Sequence, residues 1–392
     1  MNLLGNLPIA TFLKDYWQKQ PLLIKQALPR FEAPISPDEL AGLALEPEIE
    51  SRIIQTQVGN QPWALRRGPF SEETFAELGD KDWTLLVQAV DHWVPEVAEL
   101  LNTVSFLPSW RLDDIMISFA ATGGSVGPHY DNYDVFLLQA EGTREWQLGG
   151  HCDSDTPLIC HPDLQILEQF SAEQTYTLEP GDVLYLPPQI AHYGVALTPG
   201  MTFSIGFRAP AYADMIGLYA DFIASELVAE QRYHDPELEE NVKPGKIDAT
   251  TLNRLRQQLL KVIDQPDKLA QWFGEHMTEP KYSTPPVLAK EQLEPAAITE
   301  ISNLLQQGYQ IILNLGARLA YSEINQELLV FADGVSVTTS KEALPIIQQL
   351  CERHPVTWHH LQSKSEAVLT LLATLCAMET VTIHDDDTDG SI

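Results

Sequence analysis

The sequence predicts an α+β protein: an antiparallel β barrel or sandwich in the middle, helical segments on either side, and a small mixed domain at the end. Three observations predict it. Between Asp114 and Pro210, short apolar runs alternate with Pro- and Gly-bearing turns such as TGGSVGP, LEPGDVLYLPP and SIGFRAP, the punctuation of antiparallel strands. From Tyr212 the apolar spacing becomes helical in MIGLYADFIASELVAEQR. The stretch 295–392 strings a few helices among short strands, a pattern that suits a winged-helix shape.

The elements follow in order. Residues 1 to about 105 look helical and mixed, with Thr11 a candidate cap for a helix through FLKDYWQKQ and PLLIKQAL a short strand. Ser36-Pro37 before DELAGLAL is a helix start with Pro in the first turn, and SEETFAELG ends a helix at Gly79. DIMISFA opens the β region; YDVFLLQAEG and REWQLGG are two strands joined by a tight turn at Glu141-Gly142-Thr143; TYTLEPGDVLYLPP, AHYGVALT and MTFSIGFRAP complete it. Helix TLNRLRQQLLKVI follows, then a Pro-bearing linker from Glu279 to Glu294. The final domain reads as helix AAITEISNLLQQG, strand YQIILNLG, hairpin ELLVFADGVSVTTS, helices KEALPIIQQLCERH and SEAVLTLLATLCAMET, and strand VTI. His384 to Ile392, with Asp385, Asp386 and Asp387, is a solvated acidic tail.

Composition bounds the function. With 44 % hydrophobic and 20 % charged residues, the chain of 392 residues buries a sizeable core, which excludes wholesale disorder. The 24 basic residues face 55 acidic ones, a net charge of −31. Such a field repels phosphate backbones and anionic lipid and attracts basic partners. Four cysteines without a CxxC pair point to a reduced setting. MNLLGNLPIATFLKDYW lacks the basic-then-apolar layout of a signal peptide. The richest late apolar stretch, Ala367 to Met378, falls short of the roughly 20 residues a membrane span needs. A cytoplasmic protein is expected.

One constellation carries chemistry. His129 and Asp131 stand at i and i+2 where a loop enters a strand, so in extended backbone both side chains face the same way. His-x-Asp alone is a common pattern. His192 comes 61 residues after Asp131, just past a Pro-Pro corner in the same β region, where a barrel strand can return beside the first. Two imidazoles and one carboxylate with open positions suit non-haem Fe(II), whereas a structural zinc site wants four protein ligands, usually with sulfur. Arg144 lies on the strand after the Glu141 turn. Buried in a barrel it needs a partner such as a cosubstrate carboxylate; on the surface it would pair with Glu145.

GPHYD with the distal AHYGV, GTREW between them and LEPGDVLYLPPQ before the second His resemble the JmjC and cupin-type 2-oxoglutarate oxygenases. The N-terminal YWQKQPLLIKQA and the domain order narrow the resemblance to the bacterial ribosomal oxygenases. These are JmjC-type arginine 3-hydroxylases of the large-subunit ribosomal protein uL-sixteen. The resemblance covers essentially the whole chain. It implies a double-stranded β-helix catalytic domain over 1–210, a helical dimerisation region over 211–278 and a winged-helix-like domain over 279–392. It implies Fe(II) on His129, Asp131 and His192, with 2-oxoglutarate and O2 as cosubstrates. The far carboxylate of 2-oxoglutarate would pair with Arg144, where many relatives use lysine, and Ser118 matches a second hydrogen-bonding position for it. The products would be succinate, CO2 and a hydroxylated side chain, and the partners a basic ribosomal protein and a second copy of the chain.

An arginine substrate needs acidic contacts, and Asp114 and Asp134 are the candidates nearest in sequence. His151-Cys152 and Cys160-His161 resemble a second metal site in composition, but their spacing fits no common zinc pattern; His359-His360 reads as surface. SEAVLTLLATLCAMET lacks the Lys and Arg a DNA-recognition helix needs, so a protein-contact or scaffold role is expected of the last domain, without direct nucleic-acid binding. Two rival classes stay open: an oxygenase acting on another residue or a small molecule, such as a histidine hydroxylase or demethylase, and a binding module that has lost catalysis. The intact His129, Asp131, His192 and Arg144 speak against the second.

Overall fold

The computed structural model describes residues 2–59, 61–236, 243–282, 295–361 and 365–385. Most of the expected linker, and Asp386 and Asp387 of the acidic tail, lie outside the described residues. The chain divides into two compact units, Met1–Ala209 with Asn314–Gly316, and Pro210–Leu313 with Ala317–Ile392.

The first unit opens with α1 (Ile9–Asp15), preceded by Pro8. Thr11 therefore lies inside the helix and caps nothing: proline, with its fixed φ, sets the start. The chain turns out of α1 so that Trp17 stacks on Tyr185, with ring centroids 5.8 Å apart, and continues into β1 (Leu22–Ile24). α2 (Pro37–Leu43) starts as expected, with Ser36 and Glu39 forming a reciprocal capping box. β2 (Ser51–Val58), β3 (Gln61–Arg67), α3 (Glu72–Glu77), β4 (Trp83–Val87) and α4 (Pro95–Ala98) follow. The sequence reading assigned none of those three strands. Ile53 and Ile54 are adjacent, one facing each side, so the period-two signal is blurred in β2; WTLLV is a short apolar run that reads equally as helix or buried strand.

β5 (Leu112–Ala120), β6 (Val135–Gln139), β7 (Arg144–His151), β8 (Gln174–Leu178), β9 (Val183–Leu186), β10 (Ile190–Ala196) and β11 (Gly200–Phe207) coincide with the expected strands. They build an eight-stranded sheet, β1-β9-β6-β11-β5-β4-β2-β3, and a three-stranded sheet, β10-β7-β8. The turn at Glu141-Gly142-Thr143 passes the chain from one sheet to the other, so β6 and β7 do not pair. Gly142 has a φ of +66°, and a Cβ there would sit 2.2 Å from the Pro199 carbonyl, which only glycine avoids.

Strand alternation separates two interiors. Ile115, Ile117, Phe136, Phe203 and Ile205 join Phe12 and Tyr185 in the large core. The opposite face of the same strands meets Trp146, Leu148 and Leu178 of the small sheet in a second cluster with Val135, Leu137, Leu184 and Leu186. That second interior is the lumen of the double-stranded barrel.

The second unit contains α5 (Tyr212–Ser225), α6 (Ala249–Ile263), α7 (Pro266–Thr278), α8 (Pro295–Gln306), β12 (Gln310–Leu313), β13 (Leu319–Ile324), β14 (Glu327–Ala332), β15 (Val335–Ser340), α9 (Leu344–Cys351), α10 (Glu366–Ala377) and β16 (Val381–His384). β12 pairs with β16, and β13-β14-β15 form a meander. β13 was not assigned from the sequence, and α7 was covered only by the helical region expected over 211–278. α7 lies on the meander: a Cβ on Gly274 would meet the Phe331 ring at 2.3 Å, and Ser336 Oγ donates to Glu275 Oε1 at 2.6 Å. Among the described residues no helix is long and apolar enough to cross a membrane.

Candidate active site

His129 and His192 meet across a backbone bridge that extends the small sheet, His129 N–H donating to His192 O at 3.0 Å and His192 N–H to His129 O at 2.8 Å. Their imidazole centroids are 4.2 Å apart. Asp131 follows His129 by two residues, as extended backbone requires, and its Oδ2 lies 3.6 Å from His192 Nε2. The Gln189 N–H, from the turn after Pro187-Pro188, donates to the Asp131 carbonyl at 2.6 Å and ties the two segments together.

Ligand atoms of His129, Asp131 and His192 all lie within 4.8 Å of one another, so a single ion can touch all three; among the described residues this is the one such cluster. Each imidazole has its Nδ1 2.9 Å from a carbonyl oxygen, Gly127 O for His129 and Ile190 O for His192. Donating there assigns the proton to Nδ1 and leaves the Nε2 lone pair for a metal. His192 is buried, and burial together with the neighbouring His129 pushes its pKa down to about 4 against the opposing pull of Asp131. It is thus neutral, as a ligand must be. Two imidazoles and one carboxylate form the set that suits Fe(II) with open positions.

Arg144 begins β7 and points into the lumen, only 4 % exposed. The surface pairing with Glu145 is excluded: Glu145 accepts from Gln147 instead. Arg144 Nη1 reaches across to the large sheet, to Thr202 Oγ1 at 3.2 Å and Ser118 Oγ at 3.4 Å. Its Nε is buried without a hydrogen-bond partner, and no carboxylate among the described residues pairs with it. Burial pushes its pKa down to about 10, so it is still a cation at neutral pH. A buried guanidinium with donors to spare fits an incoming carboxylate, which is the test 2-oxoglutarate has to pass here.

Sequence reasoning missed Thr202 and Gln139. Thr202 pairs with Ser118 on β5 and with Gln139 on β6, and its hydroxyl donates to Gln139 Oε1 at 3.0 Å while accepting from Arg144. The signal was the strand register, which one sequence does not print. Asp114 shares the lumen face of β5 with Ser118 by alternation, and its Oδ2 accepts from Gln88 Nε2 at 3.1 Å. Asp114 is itself only 5 % exposed, but Asp134 is the one whose oxygens are taken by three side-chain donors. It is fully buried and accepts from Tyr185 Oη at 2.6 Å, Gln18 Nε2 at 2.9 Å and Arg111 Nη2 at 3.2 Å. The His/Cys loop holds no metal cluster among the described residues: Cys152 packs with Leu167 and Ala191, and His161 Nδ1 accepts the Asp163 and Leu164 N–H groups. His359 and His360 are exposed, as expected, and His360 Nδ1 accepts the Thr357 N–H on its own loop.

This barrel and its lumen define an Fe(II)- and 2-oxoglutarate-dependent oxygenase of the JmjC class, and residues 99–215 match the JmjC domain family. Residues 256–381 match the ROXA-like winged helix. The chain is 40 % identical over 311 residues to ribosomal protein uL16 3-hydroxylase of Escherichia coli strain K12, covering 78 % of this chain and 79 % of that protein. It is 32 % identical over 332 residues to a probable ribosomal oxygenase of Haemophilus influenzae, covering 82 % and 80 %. Its fold superimposes on that of YcfD, a ribosomal oxygenase from Escherichia coli in complex with cobalt and 2-oxoglutarate, with a TM-score of 0.82 at 33 % identity, covering 97 % and 99 % of the two chains. The chain belongs to the ribosomal oxygenases, the JmjC-domain family that carries a ROXA-like winged helix.

Proposed function

We propose that this chain hydroxylates an arginine side chain of ribosomal protein uL16, with 2-oxoglutarate and O2 as cosubstrates and succinate and CO2 as coproducts. The observation that carries the reading is the buried, carboxylate-free Arg144 in the same lumen as the His129, Asp131 and His192 cluster. When bound, Fe(II) supplies the oxygen activation that an unactivated C–H bond requires, and the protein supplies position and exclusion of water. His129 and His192 present Nε2 and Asp131 a carboxylate oxygen to the metal. Arg144 takes the far carboxylate of 2-oxoglutarate, with Ser118 and Thr202 beside it fixing its reach. Asp114, on the same lumen face, is the carboxylate assigned to the substrate guanidinium. The net charge of −31 favours a basic, extended protein segment over nucleic acid.

The reading extends to assembly. Residues 1–210 are the catalytic domain, 211–278 the helical dimerisation region and 279–392 the winged-helix-like domain. Homodimerisation is supported by apolar side chains left outside on the helices: Tyr212 is 83 % and Ile216 70 % exposed one turn apart on α5, and Leu252, Leu255 and Leu259 line one side of α6. The last domain serves protein contact, since α10 carries neither Lys nor Arg, and the protein acts in the cytoplasm, where its substrate is made. Mass spectrometry of ribosomal proteins from cells with and without this protein is the test. The expected result is one oxygen added to an arginine of uL16 that disappears with the protein. The same mass on a histidine, or no difference at all, overturns the reading.

A further inference from the structure

The inner face of the small sheet is laid out by its register. Arg144, Trp146 and Leu148 of β7 lie opposite Ala196, Gly194 and His192 of β10. Two residues along a strand span about 7 Å, so the Trp146–Gly194 row lies between the row of His192 and the row of Arg144. In that middle row the largest side chain faces none at all. The Arg144 guanidinium lies over the Trp146 ring at 4.8 Å, and the same ring stands 5.9 Å from the His192 imidazole. A Cβ at Gly194 would come within 2.7 Å of Trp146 Cζ3, 2.8 Å of its Cη2 and 2.9 Å of Arg144 Nε. The Gly194 backbone is not left-handed, so space rather than conformation demands glycine here. Trp146 Nε1, like Arg144 Nε, is buried without a hydrogen-bond partner. Two unmatched donors in neighbouring rows mark a place where acceptor oxygens belong.

We propose that Trp146 and Gly194 are positioning residues of the cosubstrate pocket: the indole braces the Arg144 guanidinium at its full reach across the barrel, and the absent side chain at 194 gives both groups room. The inference rests on the assignment of Arg144 to the far carboxylate. The pair fixes how far that guanidinium stands from the metal ligands, and so selects a diacid of five carbons over one of four. A methyl group at 194 drives the indole and Arg144 out of their seats and shortens the pocket.

The experiment measures equilibrium binding of 2-oxoglutarate and of four-carbon oxaloacetate to the full chain loaded with Mn(II), by calorimetry without oxygen, together with the Mn(II) affinity itself. Gly194→Ala is expected to weaken 2-oxoglutarate about tenfold, in line with the penalty of overpacking a filled site, to weaken oxaloacetate less, and to leave Mn(II) affinity within about threefold. Trp146→Phe removes the outer ring and the N–H; it is expected to weaken 2-oxoglutarate about threefold to tenfold, a part of a buried cation–π contact, since phenylalanine keeps one ring face. In the double variant the smaller ring makes room for the methyl group, so the loss is smaller than the two single losses combined. An alanine variant that binds 2-oxoglutarate as the parent does, an unchanged preference for five carbons, or strictly additive losses overturns the proposal. Should Gly194→Ala not fold, an unaltered affinity in Trp146→Phe overturns it alone. Arg144→Met separates the two readings: if it binds 2-oxoglutarate normally, the assignment of Arg144 fails; if it binds weakly while the Gly194 and Trp146 variants bind normally, only the positioning role fails.

Discussion

Replacing Arg144 by methionine sets two effects of opposite sign against each other. Methionine keeps most of the stem volume and removes the charge. Without cosubstrate, Arg144 is a buried cation held by two hydroxyl contacts, at 3.2 and 3.4 Å, and by the face of Trp146. Exchanging a buried charge for an apolar side chain of similar size is often neutral or stabilising by about 1–4 kcal/mol. Losing the indole contact returns up to about 2 kcal/mol of that. The unliganded variant is therefore expected to be as stable as the parent or slightly more so. With 2-oxoglutarate the sign reverses. Removing one partner of a buried, hydrogen-bonded charge pair costs about 2–5 kcal/mol; a loss near 3 kcal/mol is roughly a hundredfold in Kd. Denaturation of the Mn(II)-loaded protein reads both effects. At a 2-oxoglutarate concentration about a thousand times the parent's Kd, the parent gains about 4 kcal/mol and the variant only about 1.4 kcal/mol. Equal gains would refute the placement of Arg144, and a large loss of stability in the unliganded variant would refute the view that the charge is a burden until the cosubstrate arrives.

Asp131→Ala removes the single anionic ligand of the cluster; 2-oxoglutarate consumption with Fe(II) is expected to cease while the circular dichroism of the fold persists, and turnover at the parent rate would displace the metal site. Asp182 is almost fully buried. Burial alone would raise its pKa, but the Lys25 ammonium at 2.7 Å and the N–H groups of Glu179 and Gln26 outweigh it and hold the carboxyl below its usual range. Its stabilisation is thus fully present above the unfolded value of about 3.9 and is lost as pH falls through the lower folded value. Asp182→Asn should cost about 1–3 kcal/mol at pH 7, with the gap between parent and variant in urea unfolding closing below about pH 4; a gap that widens on acidification contradicts this. Finally, under the proposed function, an acidic enzyme acting on a basic ribosomal protein should be salt-sensitive and should prefer free uL16 to assembled subunits, whose phosphates dominate the field. Exposed charges beyond about 8–10 Å are screened at physiological ionic strength, and the effect falls mainly on association; hydroxylation rates on both substrates across a salt series decide it, and equal rates at all salt concentrations refute it.

What could be read from the sequence was local. The strands from β5 onward are bracketed by Pro and Gly turns, and the two-residue spacing of His129 and Asp131 places both on one face whatever the strand pairs with. His192 needed only the assumption that a barrel returns. The N-terminal strands β2 to β4 were hidden because adjacent isoleucines and a continuous apolar run carry no clean period. Thr202, Gln139, Trp146 and Gly194 were hidden for a different reason: their roles exist only across strand pairs, and register is a property of the folded sheets. The two aspartates considered for the substrate guanidinium show the boundary. By distance along the chain Asp114 and Asp134 look alike. Asp114 stands four residues before Ser118 on one strand, so alternation alone commits it to the lumen. The position of Asp134 is decided by Gln18, Arg111 and Tyr185, which are 116, 23 and 51 residues away. Three donors converging from so far along the chain make a buried carboxylate that fastens the N-terminal segment to the barrel, and no reading of its immediate neighbours would have told it from one that faces a substrate.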